Sequence, residues 1–172
     1  MALHGRFVVD NKPLLFLVVP GVGSFPAFSG DDVCRNRSGC TAVVGKGPLP
    51  AGKYWMVDRP GGGFRSKAEA FVKVTWNSAT GVATDHSEWF GLYRDDSLID
   101  DWTWVNGVKR GNFRLHPSGG GGHSFGCMTL HSRADFHRLR RTLLQTATVS
   151  AGNSGIRAYG WIEVIANGKL CP

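Results

Sequence analysis

Short strand-like segments, separated by glycine- and proline-rich turns, recur along the chain and limit what it can fold into. Segments rich in β-branched and aromatic residues predict strands at 53–58, 70–76, 87–94, 101–105, 111–116 and 155–166. Residues 4–19 predict two more strands, joined by a turn at Asp10 and Asn11. The glycine- and proline-rich segments 20–30, 45–52 and 58–63 are expected to be loops or turns. The sequence therefore predicts a mainly β fold.

One segment, residues 132–146, has the pattern of an amphipathic helix. Ser132 can cap its first turn, with Asp135 returning the hydrogen bond three residues later. Four apolar side chains are expected to share the inner face: Phe136, Leu139, Leu143 and Leu144. We expect one helix on an otherwise β-rich body.

Length and composition fit a single folded domain over residues 1–172, with no internal repeat or linker. Hydrophobic residues make up 42% of the chain and charged residues 19%, which argues against disorder. The net charge of +7 would attract polyanions, but no recognised nucleic-acid motif accompanies it. The carboxylate-bearing peptides of a bacterial cell wall would suit this charge equally well. The densest basic patch, at Arg138, Arg140 and Arg141, is interpreted as the solvated face of the helix.

The sequence gives no good export signal and no membrane span. The uninterrupted apolar core near the N-terminus runs only from Leu14 to Val19, shorter than the usual signal core of about 7 to 15 residues. No segment approaches the roughly 20 apolar residues of a membrane-spanning helix.

Three cysteines, Cys34, Cys40 and Cys171, leave two interpretations open. In an oxidising compartment two of them would form a bridge and leave an odd thiol. In a reducing cytosol all three would be small buried thiols.

The stretch HPSGGGGHSFGCMTL, residues 116–130, carries the candidate chemistry. If the chain turns through its glycines, residues 111–116 and the segment from Ser124 form antiparallel neighbours, on which His116 and Cys127 can meet with Cβ atoms about 5 Å apart. Side chains alternate between the faces of a strand. The predicted active face carries Arg114, His116, Cys127 and Thr129, and the predicted core face carries Phe113, Leu115, Met128 and Leu130.

A histidine beside a cysteine has a chemical consequence, because it raises the fraction of reactive thiolate. His116 could then serve as base and later as acid. Gly126 leaves room for a substrate carbonyl, and the backbone N–H groups of Gly126 and Cys127 could hold the oxyanion. The alternative is a buried thiol and an unrelated surface histidine.

A metal site is the other alternative, since the stretch holds four nitrogen or sulfur donors: His116, His123, Cys127 and His131. Residues four apart on a strand lie about 13 Å apart, too far to share one zinc ion with bonds near 2 Å. The glycines disfavour a helix, and a phosphate-binding loop would need a lysine that is missing here. We therefore expect neither a metal nor a cofactor.

The segments FRLHP, at 113–117, and SFGCMTL, at 124–130, resemble the His…S-x-G-C signature of YkuD-type L,D-transpeptidases. They are most similar to the branch found among type VI secretion effectors that attack peptidoglycan. The segments GVGSFPAFSG, GPLPAGKYWMVDRPGGG, FGLYRDDSLIDD and VNGVKRGNFRLHP also look like parts of that branch. The resemblance covers nearly the whole chain.

This resemblance implies a catalytic β-sandwich in which Cys127 is the nucleophile, His116 the base and Ser124 a residue that orders the site. The implied reaction is attack on the L-centre carbonyl of diaminopimelate in a stem tetrapeptide, with loss of the terminal D-alanine and formation of a thioester. Water would then give L,D-carboxypeptidase activity, and a D-amino acid would give exchange.

The resemblance also implies where the protein acts and with what. It would be made in the cytoplasm without a signal peptide, and the type VI secretion machinery would inject it into the target-cell periplasm. Its partners would be peptidoglycan stem peptides and a cognate periplasmic immunity protein. Because the chain has no recognised nucleic-acid motif and no membrane-length apolar segment, we expect neither nucleic acid nor a membrane as a partner. In that compartment Cys34, Cys40 and Cys171 could bridge and leave Cys127 free.

Two positions depart from the pattern of many housekeeping members, which is S-H-G-C followed by a hydrophobic residue and arginine. This chain has Phe125 before Gly126, and Thr129 at the arginine position. Arg114 is the candidate replacement for binding a substrate carboxylate, the alternative being a structural ion pair. Further candidates for lining the cleft are Tyr93 and Arg94.

Two other functions remain open: a cysteine peptidase or amidase that cuts a different cell-wall amide bond, and a non-catalytic wall-binding module. The joint presence of His116, Ser124, Gly126 and Cys127 argues against the module. A backbone carbonyl, Ser118 or Asn112 is expected to orient His116, while His123 is expected to be dispensable.

Overall fold

The computed structural model describes residues 1–58, 88–119 and 124–172, and in these residues the fold is mainly β with one α-helix. The strands are β1 (Leu3–Val9), β2 (Leu15–Val19), β3 (Gly23–Ser29), β4 (Gly52–Asp58), β5 (Phe90–Arg94), β6 (Trp102–Val105), β7 (Val108–Gly111), β8 (Arg114–Pro117), β9 (Met128–Leu130), β10 (Val149–Ser150) and β11 (Arg157–Ala166). The helix, α1, spans Arg133–Leu144. Short 3-10 turns lie at Asp32–Cys34 and Ser38–Cys40. The predicted strand at 70–76 lies outside the described residues.

The main sheet closes on itself. Its strands follow the order β1-β2-β3-β9-β8-β5-β4-β11-β10, and β11 also pairs in parallel with β1. The first and last long strands therefore complete the ring. Inward-facing side chains form one large apolar core, seen on β2 as buried Leu15, Leu17 and Val19 alternating with exposed Phe16 and Val18. The alternation is that of a sheet with one face on the core.

Helix α1 packs on this core much as its sequence predicts. The Ser132 hydroxyl accepts a hydrogen bond from the Asp135 N–H at 3.2 Å, which caps the first turn. Phe136, Leu139 and Leu143 are buried, whereas Leu144 is 46% exposed and does not belong to the inner face. In the described residues we find no helix with the length and apolar character needed to cross a membrane.

The segment at 20–30, expected to be a loop, is in fact a central strand. β3 pairs with β2 on one side and with β9 on the other. Pro26 lies opposite Phe16, while Phe25 and Ala27 face the core. The alternation of apolar side chains in this segment outweighs the turn propensity of its flanking glycines. The strand ends at Ser29, which lies next to the candidate site.

A hairpin lies beside the main sheet. Its first strand, β6, matches the predicted strand at 101–105, whereas β7 and the turn between them were not predicted. β6 and β7 form a separate two-stranded sheet around Asn106 and Gly107, both of which have positive φ. An Asn-Gly pair is a strong hairpin signal for this reason. Its register puts Thr103 opposite Arg110. The predicted strand at 111–116 is correspondingly interrupted at Asn112, whose φ is +57°.

One disulfide joins Cys40 to Cys171. Cys34 is a buried thiol, and the sulfur atoms of all three cysteines lie within 4.8 Å of one another. The bridge ties the C-terminal segment to the loop that follows β3.

Candidate active site

Strands β8 and β9 bring His116 and the segment of Cys127 together, but not in the antiparallel arrangement predicted from the sequence. The two strands are parallel, so Leu115 lies opposite Met128 and His116 opposite Thr129. The antiparallel prediction was wrong because the ten residues from 118 to 127 can span up to about 33 Å, enough for the chain to return and enter β9 in the same direction. The predicted faces are nevertheless correct, since Phe113, Leu115, Met128 and Leu130 lie in the core.

His116 is fully buried and held from two sides. Its Nδ1 lies 2.8 Å from the Pro117 carbonyl oxygen, which can only accept, so Nδ1 carries the proton and Nε2 is the basic nitrogen. The Thr129 hydroxyl lies 3.4 Å from Nε2. The indole of Trp89 stacks on the imidazole ring. A backbone carbonyl is therefore what orients this histidine, one of the three candidates from the sequence.

Cys127 ends a tight turn that begins at Ser124. Its N–H donates to the Ser124 carbonyl at 2.9 Å, and the Ser124 hydroxyl donates to the Cys127 carbonyl at 2.6 Å. The Gly126 carbonyl accepts a hydrogen bond from Ser29 at 3.3 Å. Ser124 and Ser29 are both fully buried. Of the two predicted oxyanion donors, Cys127 N–H is already engaged, which leaves Gly126 N–H as the candidate.

The turn requires left-handed backbone at two successive residues. Phe125 has φ +49° and Gly126 φ +92°. A Cβ atom on Gly126 would lie 2.5 Å from Nη2 of Arg110 and 3.1 Å from the Gly47 carbonyl oxygen. Glycine is needed at this position for both conformation and space.

The Cys127 thiol is buried, with 5% of the residue exposed, and donates a weak hydrogen bond to the Asn112 carbonyl at 3.7 Å. Burial raises the pKa of the thiol to about 11. Smaller effects favour the thiolate: they come from the guanidinium and the backbone N–H of Arg114 and from the guanidinium of Arg110. No hydrogen bond joins its Sγ to Nε2 of His116 in the described structure. The thiol of Cys127 is therefore protonated at neutral pH.

Arg114 forms a buried ion pair. Its two terminal nitrogens donate to the two carboxylate oxygens of Asp101, at 2.6 and 2.8 Å. Burial by itself would lower the pKa of Arg114, but the hydrogen bond and charge of Asp101 raise it above its usual value. This is the structural ion pair that the sequence left open. A role for Arg114 in binding a substrate carboxylate stays a prediction.

Tyr93 and Arg94 follow each other on β5 and point into different surroundings. Tyr93 is 5% exposed and packs in a second apolar cluster with Trp55 and Ala158. Arg94 donates to the Thr103 hydroxyl at 3.1 Å and to the Ala51 carbonyl, which fastens the β6–β7 hairpin to the sheet. Their predicted place in the cleft stays a prediction.

A comparison with known protein families decides the class. A model of the Tlde1 domain matches residues 23–153, more than half of the chain, including His116 and the Cys127 turn. The chain belongs to the Tlde1 domain family. The family name denotes type VI secretion L,D-transpeptidase effector 1, so this Tlde1 domain is an antibacterial effector secreted into target cells, in the context of a secretion machinery and an immunity protein. A search of curated proteins found no match.

Four side chains that shape the site of this Tlde1 domain were not predicted from the sequence: Ser29, Trp89, Asp101 and Arg110. Of these four, only the position of Arg110 could have been predicted from the sequence. The Asn106-Gly107 turn fixes the register of the β6–β7 hairpin, and this register places Arg110 opposite Thr103. His123 lies outside the described residues. His131 follows β9, and its ring packs against Phe28 with centroids 4.8 Å apart.

Proposed function

We propose that this Tlde1 domain is a cysteine L,D-transpeptidase-type enzyme that removes the terminal D-alanine from peptidoglycan stem tetrapeptides. The observation that supports it best is the pairing of β8 with β9. It puts a buried histidine, protonated at Nδ1 and basic at Nε2, beside the strand whose preceding residue is Cys127. The family supports the same chemistry.

In the proposed reaction Nε2 of His116 takes the Sγ proton as the sulfur attacks the carbonyl carbon of the L-centre of diaminopimelate. A rotation of the thiol away from the Asn112 carbonyl would turn it toward the base, since catalytic hydrogen bonds often tighten only when substrate binds. The Gly126 N–H would stabilise the oxyanion. His116 then returns the proton to the amine of D-alanine, so that a C–N bond breaks as the C–S bond remains.

The thioester on Cys127 has two fates in this proposal. Water attacks it to give L,D-carboxypeptidase activity, and a D-amino acid attacks it to give exchange. Both remove tetrapeptide donors that the target cell uses for cross-linking. Action in the periplasm is supported by the Cys40–Cys171 disulfide, because such bridges persist in oxidising compartments. The partner there would be a periplasmic immunity protein.

The test is a muropeptide digest analysed by mass spectrometry. Wild-type protein is expected to convert tetrapeptides to tripeptides, each losing one D-alanine. Cys127→Ala and His116→Ala are expected to lose this activity, while the surface control Lys109→Met keeps it. Loss of a different fragment would assign the protein to another cell-wall amide bond, and no change in any muropeptide would leave only a binding role.

A further inference from the structure

Arg110 is a buried cation that no described carboxylate neutralises. It is 3% exposed, and its hydrogen bonds within the described residues all go to main-chain carbonyl groups, those of Thr41, Gly47 at 2.9 Å and Pro48 at 3.3 Å. Burial lowers its pKa, because the charged form loses water. Arg114, by contrast, is neutralised by Asp101. A buried charge without a counter-ion is costly, so its position calls for an explanation.

The guanidinium of Arg110 packs directly against the nucleophile turn. The same Nη2 that donates to the Gly47 carbonyl would lie 2.5 Å from a Cβ on Gly126, the residue before Cys127. Its cationic centre also lies 5.2 Å from the ring centroid of Phe113. One side chain thus ties the loop at 41–48 to the back of the turn.

Arg110 is one of the two positive charges that favour the ionised sulfur of Cys127. Among the described residues, the Arg114 and Arg110 guanidinium groups favour the thiolate and Asp101 opposes it, Arg114 having the largest effect of the three. Arg114 is tied to Asp101 in an ion pair, whereas Arg110 has no carboxylate partner among the described residues. His116 lies on the neighbouring strand, and its Nδ1 is hydrogen-bonded to the Pro117 carbonyl.

We propose that Arg110 is a positioning residue for the nucleophile, which fixes the turn by packing against Gly126 and whose unpaired charge stabilises the ionised sulfur of Cys127. This inference rests on the proposed role of Cys127. When the thiol proton leaves for His116, the developing negative charge on sulfur meets a positive charge that is already in place and needs no reorganisation.

The test compares Arg110→Gln with Arg110→Lys. Glutamine keeps N–H donors for the carbonyl groups but removes the charge, whereas lysine keeps the charge. The readout is the rate at which iodoacetamide alkylates Cys127 in the folded protein at pH 8.5, followed by mass spectrometry of the peptide that contains Cys127. Arg110→Gln is expected to react about tenfold more slowly than wild type, which corresponds to one unit in thiol pKa, and Arg110→Lys within about threefold of wild type.

Lys109→Met is the matched control, since it removes one positive charge from the adjacent, exposed position on β7. It is expected to leave the alkylation rate unchanged. An Arg110→Gln protein that reacts as fast as wild type, or faster because the turn has opened, would overturn the proposal. Alkylation needs no turnover, so a protein that fails to cleave muropeptides but shows this dependence on Arg110 would refute the proposed function alone.

Discussion

The indole of Trp89 stacks on the imidazole of His116, with ring centroids 4.2 Å apart and ring planes at 19°. The Pro117 carbonyl fixes the rotation of the same imidazole through Nδ1. Together they define both the plane and the tautomer of the proposed base. A general base has to be aligned with the proton that it removes, so this orientation matters for the rate.

Replacing Trp89 is expected to change turnover more than substrate binding. An aromatic pair contributes about 0.5–1.5 kcal/mol beyond buried area, so Trp89→Leu should lower kcat by about two- to tenfold with KM unchanged. Trp89→Phe keeps an aromatic face and should stay close to wild type. Steady-state release of D-alanine from tetrapeptides measures both. Equal kcat values for the Leu and Phe variants would show that the stack only fills space.

The Arg114–Asp101 pair predicts opposite outcomes for single and double substitution. Asp101→Asn removes the carboxylate charge that pairs with the buried Arg114 guanidinium and should cost about 3–5 kcal/mol of unfolding free energy. Asp101→Leu combined with Arg114→Met removes both charges and should recover most of that loss. Urea unfolding measures the free energy of unfolding of the wild type, the single variant and the double variant.

The same double variant tests the predicted carboxylate-binding role of Arg114. If Arg114 also binds substrate, KM should rise at least tenfold in a protein of nearly normal stability. An unchanged KM would show that Arg114 does not bind the substrate carboxylate and serves only in the ion pair with Asp101.

Burial of Cys127 predicts an unusual pH dependence of its alkylation. Only the thiolate reacts, and a pKa of about 11 means that roughly one thiol in ten thousand is ionised at pH 7. The iodoacetamide rate should therefore keep rising, about tenfold per pH unit, beyond pH 9. Circular dichroism at each pH checks that the protein stays folded. A plateau between pH 8 and 9 would mean that the thiol titrates as an ordinary exposed one.

The three clustered cysteines predict that a lost bridge is replaced by a weaker one. In Cys171→Ser the sulfur atoms of Cys34 and Cys40 are already within 4.8 Å and should join under oxidising conditions. The new bridge closes a much shorter loop than the present one, which spans 131 residues. Chain-entropy estimates then give a net loss of roughly 2–3 kcal/mol in unfolding free energy.

Peptide mapping of Cys171→Ser shows whether Cys34 and Cys40 form the new disulfide, and thermal unfolding measures the loss of stability. The control is Cys34→Ser with Cys171→Ser, in which no second bridge can form and the loss should be larger. Recovery of Cys34 as a free thiol in the single variant would contradict the prediction.

The sequence predicted those parts of the fold that depend on alternation and capping. The strands of 4–19, the helix begun by Ser132, and the inward Leu115 and Met128 are all local patterns that burial enforces. β3 was missed because Pro26 and its flanking glycines look like a turn, while its pairing with β2 and β9 is decided by distant residues.

The sequence motif predicts that His116 and Cys127 lie close together, but it does not predict how their strands pair. The motif places His116 and Cys127 in the chain, yet parallel pairing of β8 with β9 depends on the whole sheet, since ten residues permit either direction. Trp89 and Asp101 reach the site from other elements, and nothing local marks them. Arg110 differs from these two residues, because the Asn106-Gly107 turn fixes the register of the hairpin that contains it.

The most direct test of the central claim is to trap the acyl-enzyme. Wild-type protein is incubated briefly with a tetrapeptide muropeptide, quenched in acid and digested. The account predicts a thioester on the peptide that contains Cys127, with the mass of the tetrapeptide minus D-alanine, and no such adduct in Cys127→Ser or in heat-unfolded protein. Release of D-alanine by Cys127→Ser at the wild-type rate, or an adduct of different mass or at a different residue, would contradict it.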